Sequence, residues 1–130
     1  MLKKIMLSVI LLGSLNLMAH EGHDAAPGTL KANHGGVVKA GKEINLEYVV
    51  AGNLVKIYPL SHDGKDLSQS EAKIVATVKA PKGKAEQANL DFKDGSYIAN
   101  IDFKGAYRIE MNVTAEIKGK KDAFKFQVEK

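Results

Sequence analysis

Residues Tyr107 to Lys118 decide the fold class. Tyr107, Ile109, Met111, Val113, Ala115 and Ile117 fall on one face of an extended chain, and Arg108, Glu110, Asn112, Thr114, Glu116 and Lys118 on the other. Six consecutive pairs at period 2 exclude an amphipathic helix, whose faces repeat near 3.6 residues. The same alternation recurs along the chain. Ile44, Leu46 and Tyr48 oppose Glu43, Asn45 and Glu47, and a second strand runs from Leu54 to Leu60. Ile74, Ala76 and Val78 follow, then Leu90 and Phe92, then Tyr97, Ala99, Ile101 and Phe103. Phe124, Phe126 and Val128 close the series. Turn signals separate these runs at Gly52-Asn53, His62-Asp63-Gly64 and Asp94-Gly95, and Pro81 to Lys84 reads as a loop. About seven short strands with polar outer faces indicate two antiparallel sheets packed face to face. The expected fold is an immunoglobulin-like β-sandwich.

The N-terminus reads as an address rather than as structure. Residues 1–19 carry a short basic start, Lys3-Lys4, then an apolar run from Ile5 to Leu17 that ends at the small residue Ala19. The run is short for a bilayer span, which needs about 20 residues. It matches a secretory signal peptide, and no Cys follows it that would make a lipoprotein. The mature protein is expected in the periplasm, with no membrane span after cleavage. Residues 20–34 hold Gly, Pro and polar residues without a period and read as a flexible leader. The β-sandwich domain is then residues 35–130.

Removing Lys3 and Lys4 leaves 17 of the 19 basic residues against 15 acidic ones. Both signs are interspersed, so nothing in the charge pattern points to nucleic acid. With no Cys in 130 residues, disulfides, thiolate zinc sites and cysteine nucleophiles are all excluded. The chain also lacks a G-x-S-x-G elbow, an H-E-x-x-H helix, a P-loop and a dinucleotide fingerprint. The carboxylates fall mainly on polar strand faces. The reading is therefore a protein that is not an enzyme.

The histidines break this plain pattern. All four lie between positions 20 and 62, as His20 and His23 in His-Glu-Gly-His-Asp, His34 in Asn-His-Gly-Gly, and His62 in Ser-His-Asp-Gly. None sits on the apolar face of an expected strand. Neutral imidazole is the commonest biological metal ligand. Cleavage after Ala19 would make His20 the first residue, and its amine and imidazole can then chelate one ion together. His23 or His34 would add a nitrogen. An all-nitrogen set without thiolate favours copper, with zinc or nickel as alternatives. Met111, on an apolar strand face, reads as core. Each histidine also has a plainer reading: solvated leader residues for His20 and His23, a turn at the domain entry for His34, and a hairpin residue for His62. Glu47 on a polar strand face reads most simply as solvated.

The segments His34-Gly35-Gly36-Val37-Val38, Glu43 to Val50 and Val55 to Lys65 resemble a group of small periplasmic proteins and domains associated with copper or heavy-metal efflux systems. The resemblance covers residues 20–66. This chain departs from the pattern at Tyr48, where Leu is more usual. What the resemblance implies is metal buffering, delivery or resistance. His34 carries over first as a metal ligand, then Glu47 and His62, and an efflux or other envelope protein is implied as a partner. The competing expectation is an immunoglobulin-like interaction module of the envelope that needs no metal.

Overall fold

The computed structural model describes residues 30–130. Within them the compact unit runs from Ala32 to Lys130. It contains nine strands and no helix. These are β1 (Val37–Ala40), β2 (Asn45–Ala51), β3 (Leu54–Leu60), β4 (Lys73–Lys79), β5 (Glu86–Gln87), β6 (Leu90–Lys93), β7 (Ser96–Asn100), β8 (Arg108–Ile117) and β9 (Lys120–Glu129). One sheet has the order β1-β2-β3-β7-β6 and the other β5-β4-β8-β9. Every pairing is antiparallel. The β-sandwich expected from the period-2 pattern is the observed architecture.

The strand count is higher than expected because two short edge strands, β1 and β5, carry too few residues to show a period. Tight turns pin the register of three hairpins. Ala51 pairs Leu54 across Gly52-Asn53, Lys93 pairs Ser96 across Asp94-Gly95, and Ile117 pairs Lys120 across Lys118-Gly119. The chain changes sheet after β3, β5 and β7, which builds the sandwich from crossing connections.

Inward residues of both sheets form one core. Ile109, Met111, Val113 and Ala115 of β8 interleave with Phe124, Phe126 and Val128 of β9, facing Leu46, Val55, Ile57 and Ala99. Burying such side chains contributes about 1.5–3 kcal/mol each. Tyr107, placed by its parity on the inner face, lies before β8 and is exposed. At one side of the sandwich the Tyr48 ring stacks on Phe126 at 3.7 Å. Beside it the buried Asp122 of β9 accepts backbone N–H groups from Glu43 at 2.6 Å and Ile44 at 3.0 Å. A carboxylate thus ties the two sheets where no strand pairing joins them.

Parity alone also places Asn45 and Glu47 on a solvated outer face. The structure corrects this: both are buried, Glu47 completely. They lie on the outer side of the five-stranded sheet, and the residues preceding β1 fold over Glu47.

Candidate functional site

Glu47 sits in the middle of β2, opposite Val38 of β1 and Tyr58 of β3. A carboxylate buried there needs donors, since an unpaired buried charge is strongly destabilising. The entering chain supplies three. Glu47 Oε1 accepts the Asn33 backbone N–H at 2.9 Å, and Oε2 accepts those of His34 at 2.8 Å and Gly36 at 2.9 Å. The two glycines let the chain wrap so tightly. Gly35 has φ of +75°, a conformation L side chains rarely adopt. At Gly36 any Cβ would collide with the Tyr48 carbonyl oxygen and meet the Val49 side chain at 2.8 Å. His-Gly-Gly is therefore a wrapping device whose fixed point is Glu47.

The wrap delivers the His34 ring to a defined place. Its ring stacks on Tyr58 with centroids 3.6 Å apart and planes within 9°. Its Nε2 lies 3.1 and 3.0 Å from the two oxygens of Asp66. Asn33 reinforces this corner, donating from Nδ2 to the Gly64 carbonyl at 2.7 Å and to Asp66 Oδ1 at 3.3 Å. Asp66 is in turn paired through its backbone with Leu60, the last residue of β3. The imidazole is thus fixed by its backbone, by its face and by one nitrogen. It stays 28% exposed and within reach of solvent.

The other sequence candidates have separate fates. Glu47 is in the interior, where both its oxygens accept backbone N–H groups. His62 lies in the expected turn, but its Nε2 donates to the Gly41 carbonyl at 3.1 Å. Gly41 follows β1 whereas His34 precedes it. The two histidines thus hold different partners, His62 the Gly41 carbonyl and His34 the Asp66 carboxylate. His20, His23 and the 1–19 segment lie outside the described residues. Asn33 and His34, placed by composition in residues 20–34, donate their backbone N–H groups to Glu47 of β2. Among the described residues, no group of three or more His, Asp or Glu side chains is placed to hold one metal ion. Among them there is no helix long and apolar enough to cross a membrane.

Sequence reasoning missed Asp66, Asn33 and Tyr58. Asp66 follows a turn in Lys-Asp-Leu and carries no local signal; only the bridge to Leu60 aims it at His34. Tyr58 had a signal, since it shares the outer-face parity of its strand and pairs Glu47. Elsewhere, an open groove of about 610 Å³ lies along the β5 and β6 side. Its apolar floor includes Leu54, Val78 and Ile98, and the ion pair between Lys104 and Glu86 sits at its rim. Neither described histidine, His34 nor His62, lines it.

No protein-family model and no curated protein matches this chain. A solved structure does share its fold. A DUF4426 family protein from Pseudomonas aeruginosa PAO1 is similar with a TM-score of 0.55 at 17% identity, over 72% of this chain and 94% of that one. The Br derivative of BhCBM56 is similar at a TM-score of 0.46 and 15% identity, over 72% and 98%. The first likeness supports the β-sandwich architecture and bears on nothing beyond it.

Proposed function

We propose that this is an exported, periplasmic metal-binding protein, not an enzyme, in which His34 is a pre-positioned imidazole ligand for a divalent transition metal. Copper is the preferred ion, with zinc or nickel as alternatives. The observation that carries the reading is the threefold fixation of His34, by Glu47 through its backbone, by Tyr58 through its ring face and by Asp66 through Nε2. A ring so held loses little conformational freedom on binding, which is the main cost of immobilising a side chain. His20 and His23 supply further nitrogens in this reading. A ligand set without thiolate suits Cu(II) by the stability order of the divalent ions.

Calorimetric titration of the signal-processed, untagged protein with Cu(II) and Zn(II) tests the proposal. The expected result is near-stoichiometric binding that His34→Ala weakens at least tenfold. Binding no tighter than millimolar, or equal binding by His34→Ala, overturns it.

A further inference from the structure

We infer that β9 is a self-association edge: two copies of this chain pair their β9 strands antiparallel about a two-fold axis at Phe126 and join their smaller sheets into one. Four strands end the two sheets. Three of them are short, with four residues in β1, two in β5 and four in β6, whereas β9 has ten. Its pairing with β8 runs without a bulge from end to end, and it contains no Pro. Short strands, bulges and Pro are common means of keeping a sheet edge from pairing again, and β9 uses none of them. An inward charge is another such guard, but Asp122 is committed to the Glu43 and Ile44 N–H groups. Edge lysines are a further one, and those of β9 find acidic or amide partners in the self-paired register.

The hairpin fixes which backbone groups face outward. Lys118 and Gly119 have φ of +51° and +79°, as a two-residue type I′ turn requires. Such a turn makes its flanking pair, Ile117 and Lys120, exchange both hydrogen bonds, and bonded and non-bonded pairs then alternate along the ladder. At the far end the Lys130 N–H donates to the Tyr107 carbonyl at 2.8 Å, which keeps the same phase. Lys121, Ala123, Lys125, Gln127 and Glu129 therefore turn their N–H and C=O groups away from β8, and their side chains are exposed. Among the described residues, no strand and no backbone hydrogen bond reaches these groups. The side chains select the partner and the register. With Phe126 on the axis, Lys125 meets Gln127 of the second copy, and Glu129 meets Ala123. The diagonal neighbours of that Ala123 are Lys121 and Lys125, close enough for long side chains to reach. Each Glu129 thus enters a notch with a small floor and a lysine on either side, and the two-fold builds the notch twice. An axis at Lys125 would instead set two Lys125 side chains directly opposite, which is unfavourable. In the Phe126 register they are diagonal, and each keeps Glu110 of β8 at 3.8 Å. On the inner face the same register sets Phe124 beside Val128, apolar against apolar.

The test uses the whole mature protein. Sedimentation equilibrium at submillimolar concentration is expected to give twice the chain mass. The chain has no Cys, so single cysteines can carry spin labels without interference. Equivalent residues of the two copies are offset along the strand by twice their distance from Phe126. At about 3.4 Å per residue the offset is about 7 Å for Gln127→Cys and about 34 Å for Lys121→Cys. Electron resonance is expected to show dipolar broadening for the first label and the longer distance for the second. Ala123→Glu sets a carboxylate against Glu129 in the notch and is expected to weaken the dimer more than about tenfold. Its circular dichroism should stay unchanged, because Ala123 is exposed in the single chain. A monomer throughout the concentration range overturns the inference. So does a dimer that Ala123→Glu leaves intact, or one without the close approach at Gln127→Cys, since either puts the contact on another surface.

Discussion

Glu47→Gln is the sharpest perturbation of the site's foundation. The substitution keeps the shape of the side chain and removes its charge and one acceptor. A glutamine can turn its single oxygen toward the His34 and Gly36 N–H groups, now as neutral bonds. Its NH2 then faces the Asn33 N–H, donor against donor, in a place with no exposure. Hydrogen bonds to charged groups contribute about 1.5–3 kcal/mol and neutral ones about 1 kcal/mol. Losing one of the former and weakening two more costs about 3 kcal/mol. Against a total of about 5–15 kcal/mol for a domain, that is a large fraction. For about 100 residues it lowers the melting midpoint by about 12–24 °C. Urea unfolding followed by circular dichroism gives the free energy, and hydrogen exchange at Asn33, His34 and Gly36 locates the loss. A loss under about 0.5 kcal/mol, with these three amides exchanging like open chain in the wild type, would refute the wrapping account.

Three further outcomes follow from the same geometry. Gly36→Ala sets a Cβ against the Tyr48 carbonyl oxygen, so it is expected to cost about 1–3 kcal/mol in urea unfolding and to weaken metal binding by displacing His34. Asp122→Ala strips the acceptor from the Glu43 and Ile44 N–H groups and is expected to cost about 2–6 kcal/mol, at about 1–3 kcal/mol for each donor left unsatisfied, with Asp122→Asn costing less because one oxygen can serve both. Burial raises the Tyr48 and Tyr97 hydroxyls above their usual range, and Tyr97 donates to the Ala72 carbonyl at 2.7 Å. The neutral form is favoured in the folded state, so this stability is complete below about pH 10, the unfolded value. It is lost as pH rises through the folded-state values. Melting midpoints should fall above pH 10, and Tyr97→Phe should reduce the steepness of that fall; an identical slope in both proteins would sink the assignment.

The sheets were legible because burial alternates with strand parity, and nowhere more cleanly than in β8, where Ile109, Met111, Val113 and Ala115 point inward. The site was less legible for a physical reason. Parity states which side of a sheet a residue faces, and says nothing of what later covers that side. Glu47 has the parity of a solvated residue, and only the wrap of residues 33–36 turns it into an interior acceptor. His34 stood out through its neighbours Gly35 and Gly36, whose backbone requirements are local. Asp66 reaches His34 across 32 positions, and nothing in its own surroundings foretells that. His62 was drawn in by proximity in sequence, although its ring bonds to the Gly41 carbonyl.

The central claim is that the fixed His34 imidazole binds the metal. Pulsed electron paramagnetic resonance of the mature protein with one equivalent of Cu(II) tests it most directly, since a coordinated imidazole shows its remote nitrogen in the modulation. The account predicts such a signal with one imidazole contribution absent in His34→Ala. Identical spectra from the two proteins would contradict it.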